Sequence, residues 1–504
     1  MKIIDLLINS VEAEPDRIAM ISGRADISYR QMLSDVVSLS EQLKRAGCIG
    51  GVKVAIALGN SFEYLVSFFA ISAADGIILP LSNRMTPYET AEYMKRADVS
   101  ILITNESCGR RLSAAISDIN KITIIYAQYD ADENLNIEVK KSVDCKTDEQ
   151  NSDVALFVLT SGATGTPKIV MLTDDNLISN MIDYRTLMNF NDHKVVYCAL
   201  SFHHIYCICA QILTHISLGD TFVICDSPFF ARDFLEAVQK YHVTITAFVP
   251  YMAMLLAGYP EPSEFDFNSL KFVTLSGSKT PESTYNLLRE KYSTVRFINT
   301  YGMSEAGSRI SIAAPYPQRF PVESVGRPMP SVSVKILDNK GNTQPADCHG
   351  EICVKSSGVM KGYYKQPELT ARTVINGRLR TGDIGKIDKN GNLFILGRIK
   401  DTIISGGENL SPAEIEECLS RHPAVREAAV VGREHKLLQE VPFAFVVKKN
   451  TNENLTPIEI IEFCKNKLSG PKIPRSIKFI EQLPRLGTAK IDRDTLKKMA
   501  AEPL

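Results

Sequence analysis

The sequence predicts an α/β protein with a large N-terminal domain and a small C-terminal domain. Helical and strand patterns alternate along most of this 504-residue chain, which is long enough for at least two domains with their own cores. Near Val332 the pattern changes to short strands separated by Gly, Asn and Asp turns, which indicates a β-rich subdomain. A compact segment follows Gly397–Asp401. We therefore predict an N-terminal domain at residues 1–399 and an α+β C-terminal domain at residues 400–504.

Capping residues mark the predicted helix starts. Ser28 stands three residues before Gln31, as in a capping box, and apolar residues then recur at helical spacing from Met32 to Leu43. Gly47 is placed to end this helix. Further helix starts are predicted at Ser61, Thr86, Ser411 and Thr456.

Between these helices stand short, continuously apolar runs. Such runs are typical of strands in sheets that are covered on both faces. We predict strands at Val52–Leu58, Gly76–Leu81, Val154–Leu159, Val195–Leu200, Thr221–Cys225, Thr244–Val249, Phe272–Leu275 and Val295–Ile298.

Composition excludes several classes of function. The formal net charge is −1, so no basic field would recruit nucleic acid or an anionic membrane surface. The 11 cysteines form no zinc-ligand spacing, which fits a reducing compartment. The apolar run after Met1 is too short for a signal peptide, and no stretch reaches the roughly 18 apolar residues of a membrane helix. We expect a soluble, cytoplasmic protein.

The segment Thr160–Lys168 is the most informative part of the chain. It follows an apolar strand and presents glycine backbone, hydroxyls and one ammonium group to a small volume. A polyphosphate fits this chemistry, because it offers many acceptor oxygens and high negative charge. The alternative is a polar surface turn between two strands. The candidate phosphate-binding residues are Thr160, Ser161, Gly162, Thr164, Gly165, Thr166 and Lys168.

This segment resembles the phosphate-binding loop of AMP-forming adenylating enzymes. That superfamily comprises acyl-CoA synthetases, adenylation domains of peptide synthetases and insect luciferases. Further motifs follow in the family's order, so that the resemblance extends from about residue 15 to about residue 495. It implies a large domain of α/β layers with a β-rich subdomain, followed by a small mobile domain.

Thr300–Glu305 resembles the family's YGxTE motif. The resemblance implies that Tyr301 stacks on adenine, that the Ser304 hydroxyl meets the α-phosphate, and that Glu305 holds Mg²⁺. Gly302 is a further nucleotide-binding candidate, and Thr300–Gly302 should also contribute to the acyl pocket. Taken alone, a Tyr-Gly pair followed by a polar turn is more often a strand end.

Four further motifs resemble parts of the family's nucleotide and acyl sites. Ser276 and Gly277 would line adenine and the acyl pocket, and the role of Lys279, two residues after Gly277, is left open. Asp383 and Arg398 would bind the ribose hydroxyls. Phe202-His203 resembles the family's FH motif, which implies that His203 gates the passage between the acyl pocket and the thiol entrance. The alternative is a histidine whose hydrogen bonds are satisfied at a strand end.

The C-terminal segment carries three more resemblances. Lys490 stands in a sequence similar to the catalytic-lysine loop, where an ammonium group would stabilise the charge that develops at the α-phosphate. Gly406 and Gly407 stand in a GGEN stretch similar to that of acyl- and aryl-CoA ligases, where these glycines contact the pantetheine arm. Lys400 matches the hinge about which the C-terminal domain rotates between the two reaction steps. Ala489 and Ile169 depart from the family, in which glycine is usual at both positions.

The predicted function is a two-step ligase that uses ATP, Mg²⁺ and CoA. A small-molecule carboxylic acid, with medium-chain fatty and aryl acids as the leading candidates, would become acyl-AMP and then pass to CoA. The alternatives are an enzyme that loads the phosphopantetheine of an acyl carrier protein, a luciferase-like oxygenase, and a non-catalytic nucleotide-binding relative. The sequence gives no indication of the oligomeric state.

Overall fold

A computed structural model of the chain describes residues 1–21, 26–117, 119, 122–130, 132, 134–141, 144–160, 168–190, 193–225, 227–314, 320–405, 408–449, 455–465, 467–486 and 490–502. Its contacts divide the chain into two compact units. The first unit comprises Met1–Ser333 and Val354–Leu379, and the second comprises Val334–Cys353 and Arg380–Leu504. The predicted α/β class is correct.

Helices of the first unit surround its sheets. They are α1 Ile3–Ala13, α2 Tyr29–Arg45, α3 Phe62–Ala73, α4 Pro87–Arg96, α5 Glu106–Ser117, α6 Asp174–Met188, α7 Ile205–Cys207, α8 Thr214–Ile216, α9 Ala231–Tyr241, α10 Pro250–Gly258, α11 Glu282–Lys291 and α12 Pro367–Thr373. A π-helical segment, Ile208–Leu213, joins α7 to α8 and is buried throughout.

An eight-stranded sheet in the first unit has the order β19-β9-β8-β4-β3-β5-β6-β7. Its central strands are parallel and fully buried, as the continuous apolar runs predict. The strands are β3 Lys53–Ala57, β4 Ile77–Pro80, β5 Ile101–Thr104, β6 Thr123–Tyr129, β7 Leu135–Lys141, β8 Val154–Thr160, β9 Lys168–Thr173 and β19 Gly362–Tyr363.

A nine-stranded sheet in the same unit has the order β16-β15-β14-β13-β12-β10-β11-β1-β2. Strands β10 to β14 pair in parallel, and β15 then returns antiparallel to β14. The strands are β1 Ile18–Ile21, β2 Asp26–Ser28, β10 Val195–Cys198, β11 Thr221–Ile224, β12 Ile245–Phe248, β13 Phe272–Leu275, β14 Arg296–Met303, β15 Ser308–Ile312 and β16 Arg327–Pro328.

The second unit contains short β-hairpins and a compact α+β region. Strands β17, β18, β21 and β22 lie in one sheet, and a second sheet has the order β24-β23-β26-β25 with β27 beside β26. The strands are β17 Ser333–Leu337, β18 Gly350–Lys355, β21 Arg378–Ile387, β22 Leu393–Arg398, β23 Ile403–Ser405, β24 Glu408–Leu410, β25 Val425–His435, β26 Gln439–Lys448 and β27 Ser476–Phe479. The helices are α13 Pro412–Ser420, α14 Pro457–Lys465 and α15 Arg493–Ala501. In the first unit, β20 (Val374–Ile375) pairs with the first residues of β21.

Local signals place several helix ends correctly. The Ser28 hydroxyl accepts a bond from the Gln31 N–H at the start of α2, and Gly47 follows the helix with φ +88°. The helix start shows this first half of the predicted capping box only, and the Gln31 side-chain amide donates to Asp35 Oδ1. Thr86 and Glu89 do form both halves of a capping box.

Candidate active site

Lys168 begins β9, directly opposite Thr160 at the end of β8. Strand β8 is buried over its first five residues, so the core fixes both ends of the candidate phosphate-binding segment. Ser161, Gly162, Thr164, Gly165 and Thr166 lie outside the described residues. The structure therefore defines the two ends of this segment, and its role as a phosphate site stays a prediction.

Tyr363 connects Lys168 to Glu305. The Lys168 ammonium lies over the Tyr363 ring, 5.0 Å from its centroid, which is a cation–π distance. The Tyr363 hydroxyl donates to Glu305 Oε1 at 2.8 Å. Burial and the Glu305 carboxylate raise the pKa of Tyr363 well above its usual value, so that the hydroxyl stays protonated and keeps this bond. Tyr363 thus contacts both the Lys168 ammonium and the Glu305 carboxylate, which come from distant parts of the chain.

The donor set near Glu305 fits a magnesium ion that is held mainly by phosphate. Among the described residues no group of three or more His, Cys, Asp or Glu side chains could hold a metal by itself. Mg²⁺ usually takes one or two carboxylates and completes its shell with phosphate oxygens and water. Tyr363 occupies one side of the Glu305 carboxylate, which has further lone pairs for a cation.

A tight hairpin carries Tyr301, Gly302 and Ser304. Strand β14 pairs with β15, and the register shifts between Tyr301 and Gly302. A Cβ atom at Gly302 would lie 1.6 Å from the Ser308 carbonyl oxygen, so this close approach requires glycine. Ser304 starts a single 3₁₀ turn, Ser304–Ala306, which precedes the return strand.

Ser276 and Gly277 follow directly after β13. The Ser276 N–H donates to the Phe248 carbonyl, which extends the pairing of β13 with β12 beyond the strand end. Gly277 has φ +98°, a conformation that side chains disfavour. The chain therefore turns at the carboxyl edge of a parallel sheet, where such folds place their ligands.

His203 lies just after β10 and is partly buried. The Phe202 N–H donates to the Asn60 side chain, whose amide donates in turn to the carbonyls of Leu200 and Cys225. The His203 ring lies 4.1 Å from the His204 ring, centroid to centroid. Burial, together with His204 and Arg84, lowers the pKa of His203 well below its usual value, so that the imidazole is neutral at pH 7.

In the second unit, Asp383 and Arg398 face each other across the β21–β22 hairpin. Arg398 Nε lies 2.9 Å from Asp383 Oδ1, and the Asp383 side chain is only 5% exposed. Glu351 fixes the preceding turn, because it accepts bonds from Arg380 and from the Gly382 N–H. The structure therefore brings together the two residues that the sequence analysis assigned to ribose.

Lys490 ends the segment that follows Leu486. The Leu486 N–H donates to the Lys490 carbonyl at 2.8 Å, and Arg485 pairs with Ile491. Gly406 and Gly407 lie outside the described residues, and the flanking strands β23 and β24 pair through Ser405 and Glu408. Lys400 stands in the 3₁₀ turn Ile399–Asp401. The roles predicted for these residues stay predictions.

Tyr363 is not among the site residues predicted from the sequence. It stands in Gly362-Tyr363-Tyr364, which has no spacing that relates it to Lys168 or Glu305. Its position results from the pairing of β19 with β9, a long-range contact that local patterns do not encode. An aromatic pair directly after a glycine was the only available signal.

Comparison with known proteins identifies the family. Residues 7–364 match the AMP-binding enzyme family, and residues 414–490 match the C-terminal domain of AMP-binding enzymes. The chain is 31% identical over 490 residues to a 2-succinylbenzoate–CoA ligase from Bacillus cytotoxicus, with 97% of each chain covered. It is 30% identical over 502 residues to a 4-coumarate–CoA ligase from Pinus taeda, covering 96% of this chain and 92% of that protein.

Solved structures agree with this assignment. The o-succinylbenzoate CoA synthetase from Bacillus subtilis, in complex with its acyl-adenylate intermediate, has a TM-score of 0.83 and 28% identity, with 98% of this chain and 97% of that chain covered. The chain therefore belongs to the AMP-binding enzyme family. These comparisons confirm the predicted superfamily and the predicted fold class. They also confirm the enzyme class, which is an ATP-dependent adenylate-forming ligase. No helix within the described residues is long and apolar enough to span a membrane.

Proposed function

We propose that this enzyme converts a small-molecule carboxylic acid to its CoA thioester through an acyl-AMP intermediate. The observation that carries the proposal is the arrangement of Lys168, Tyr363 and Glu305, which holds an ammonium and a carboxylate beside the predicted phosphate-binding segment. The CoA ligases among the relatives support the thiol assignment. An acyl carrier protein as the thiol donor is the alternative, and we place the reaction in the cytoplasm.

Residues of the first unit would bind the phosphates and the base of ATP. Thr160–Lys168 would hold the β- and γ-phosphates, Tyr301 would stack on adenine beside Ser276 and Gly277, and the Ser304 hydroxyl would reach the α-phosphate. Mg²⁺ held by Glu305 would supply positive charge for the departing pyrophosphate. In the second unit, Asp383 would accept bonds from the ribose hydroxyls while its pairing with Arg398 keeps the carboxylate oriented.

In the first step, a carboxylate oxygen of the acid attacks the α-phosphorus and the bond to the β-phosphate oxygen breaks. The products are acyl-AMP and pyrophosphate. The Lys490 ammonium would stabilise the charge that develops around the α-phosphate. Lys168 would hold the departing pyrophosphate in the same way, since its position at the start of β9 is fixed by the sheet.

In the second step, the CoA thiol loses its proton to solvent and its sulfur attacks the acyl carbonyl carbon. The bond between that carbon and the phosphate oxygen of AMP breaks, and AMP leaves. His203 is neutral at pH 7, so it can move to admit the thiol without separating a buried ion pair. Gly406 and Gly407 would lie along the pantetheine arm, where the absence of side chains permits close approach. We propose residues 1–399 as the adenylating domain, residues 400–504 as the mobile domain, and Lys400 as the hinge between them.

The acid is proposed to be an aryl acid, because the two curated relatives act on 2-succinylbenzoate and 4-coumarate. Medium-chain fatty acids are the second candidate class. Exchange of labelled pyrophosphate into ATP across a panel of aryl and fatty acids tests the adenylation step. Thioester formation with CoA, compared with a phosphopantetheinylated carrier protein, tests the acceptor. Absence of exchange with every acid would favour the non-catalytic alternative.

A further inference from the structure

Arg309 is a fully buried arginine whose charge has no carboxylate partner among the described residues. Its side chain is 1% exposed, and it is the largest fully buried side chain among the described residues. Within this part of the chain, eight buried side-chain nitrogen and oxygen atoms lack a hydrogen-bond partner, and three of them are Nε, Nη1 and Nη2 of Arg309. A buried charge without hydrogen bonds is costly, and proteins normally avoid it.

Two tyrosines hold the guanidinium group. It lies 3.6 Å from the centroid of the Tyr184 ring and 5.3 Å from that of Tyr206. Burial is the main reason that the pKa of Tyr184 rises to about 12, so this ring is a neutral phenol and no counter-ion. The stacking restricts the guanidinium plane and satisfies none of its N–H donors. The Arg309 guanidinium is thus held in place by ring contacts, and its N–H groups remain available to donate hydrogen bonds to a ligand.

The surroundings of Arg309 are the segments assigned to the acyl site. Its backbone pairs with Gly302 across the β14–β15 hairpin. Tyr206 stands three residues after His203, and its hydroxyl donates to Thr274 Oγ1 at 2.6 Å, two residues before Ser276. The π-helical segment Ile208–Leu213 also reaches this hairpin, since the Cys209 thiol donates to the Gly307 carbonyl.

We propose that Arg309 determines substrate specificity by binding an anionic group of the acid, distant from the carboxylate that is adenylated. This inference rests on the proposed ligase function, and it narrows the substrate class to acids with a second negative charge. A carboxylate is the matching group, because it accepts two parallel N–H bonds from a guanidinium. The substrate would supply the counter-ion that Arg309 lacks within the part of the chain that the structure describes.

Paired acids test this proposal. Each dicarboxylic acid is compared with a counterpart that has no distal negative charge. The pairs are 2-succinylbenzoate with 4-oxo-4-phenylbutanoate, 4-carboxycinnamate with cinnamate, and straight-chain dicarboxylic acids with their monomethyl esters. We expect the best wild-type acid in pyrophosphate exchange to carry the distal carboxylate. Arg309→Met should lower kcat/KM for that acid by about 100-fold or more and change its neutral counterpart by less than about threefold. Arg309→Lys should restore part of the preference.

The matched control is Arg327→Met on the adjacent strand β16, which should leave the ratio between paired acids unchanged. Thermal unfolding provides a readout independent of catalysis. Arg309→Met removes an unpaired buried charge. In the absence of acid, its melting temperature should therefore be roughly a few degrees above that of the wild type. The dicarboxylic acid should stabilise the wild type and not this variant.

Each outcome decides a different point. Exchange that is strongest with a neutral-tailed acid, or an equal loss for both members of a pair in Arg309→Met, would overturn the role of Arg309. A lower melting temperature in Arg309→Met without acid would show that the contacts of the guanidinium within the protein, including its stacking on Tyr184, outweigh the cost of its burial. This result would contradict the proposal that Arg309 awaits a partner from the substrate. No exchange with any acid, together with dicarboxylate stabilisation that requires Arg309, would refute the ligase function and leave the anion site standing.

Discussion

At the scale of single residues, Tyr363 supports two charged groups through different parts of its side chain. The ring faces the Lys168 ammonium, and the hydroxyl donates to Glu305. Tyr363→Phe removes the hydroxyl and keeps the ring. We expect a rise of about 10-fold in the Mg·ATP concentration needed for half-maximal exchange, as is typical when a residue that orients a metal ligand is lost. Initial rates across ATP and Mg²⁺ titrations measure this change.

The neighbouring tyrosine offers a matched control. The Tyr364 hydroxyl donates to Asp98 at 2.8 Å, and its ring packs against Phe157. Tyr364→Phe therefore removes a similar bond to a different carboxylate and should leave the Mg·ATP requirement unchanged. An equal change in both variants would mean that the Tyr363 hydroxyl serves only the stability of this region.

Lys490 permits a sharper separation of the two reaction steps. Lys490→Ala should reduce acyl-AMP formation by about 10²–10³, the usual cost of losing one donor that stabilises a transition state. Thioester formation from preformed acyl-AMP should largely survive, because the phosphoryl transfer is already complete. Single-turnover assays of each half-reaction measure both effects. Lys498→Ala, an exposed lysine of α15, is the control, and an equal fall in both half-reactions would contradict the assignment.

At the scale of elements, the β14–β15 hairpin positions the candidate nucleotide residues through one close backbone approach. Gly302→Ala would place a methyl group 1.6 Å from the Ser308 oxygen, and that oxygen belongs to backbone that cannot rotate away. We expect a loss of at least about 3 kcal/mol in the free energy of unfolding, as for other severe steric clashes. Adenylation should fall with it. Denaturant unfolding and pyrophosphate exchange measure the two effects.

Gly258→Ala is the control for this prediction. Gly258 ends α10, and nothing lies within 4 Å of the position where its Cβ would stand. Alanine there should leave the protein equally stable, or more stable by up to about 1 kcal/mol, because alanine is the better helix former. If Gly302→Ala were as stable as Gly258→Ala, the close approach at the hairpin would be wrong.

Local signals predicted elements better than they predicted contacts between elements. Ser28 and Thr86 cap their helices as expected because a cap depends only on the next three residues. Ser411 also precedes a helix, but its hydroxyl donates to the Leu396 carbonyl instead of capping that helix. Tyr363 and Arg309 acquire their significance from contacts with residues far away in sequence, which are Lys168 and Glu305 for Tyr363 and two tyrosine rings for Arg309. No local pattern encodes such contacts. The motif residues could be identified, but the side chains that orient them could not.

For the chain as a whole, the division by contacts differs from the domain boundary predicted from the sequence. Contacts group Val334–Cys353 and Arg380–Leu504 as one compact unit, so the candidate ribose residues Asp383 and Arg398 belong to the same unit as Lys490. The boundary predicted from the sequence lies at Lys400 instead, because the sequence pattern changes there and Lys400 matches the family's hinge residue. Compactness and mobility are separate properties, and the boundary at Lys400 is a prediction about motion.

Proline at position 400 tests the hinge directly. Lys400 is the second residue of the 3₁₀ turn that the Thr402 N–H closes on the Ile399 carbonyl. Proline is compatible with the φ angles of such a turn, so Lys400→Pro should fold and hold this backbone conformation. If the two half-reactions require different backbone angles here, one of them should fall by about 10-fold or more while the other persists.

The appropriate control is proline in a neighbouring turn of the same kind. Lys389 follows Asp388 in an exposed turn, which the Gly391 N–H closes on the Asp388 carbonyl, and proline is favoured at this position. Lys389→Pro should leave both half-reactions unchanged. Single-turnover rates of acyl-AMP formation and of thioester formation from preformed acyl-AMP decide the matter. If Lys400→Pro resembled Lys389→Pro in both assays, the alternation between steps would have to be located elsewhere in the chain.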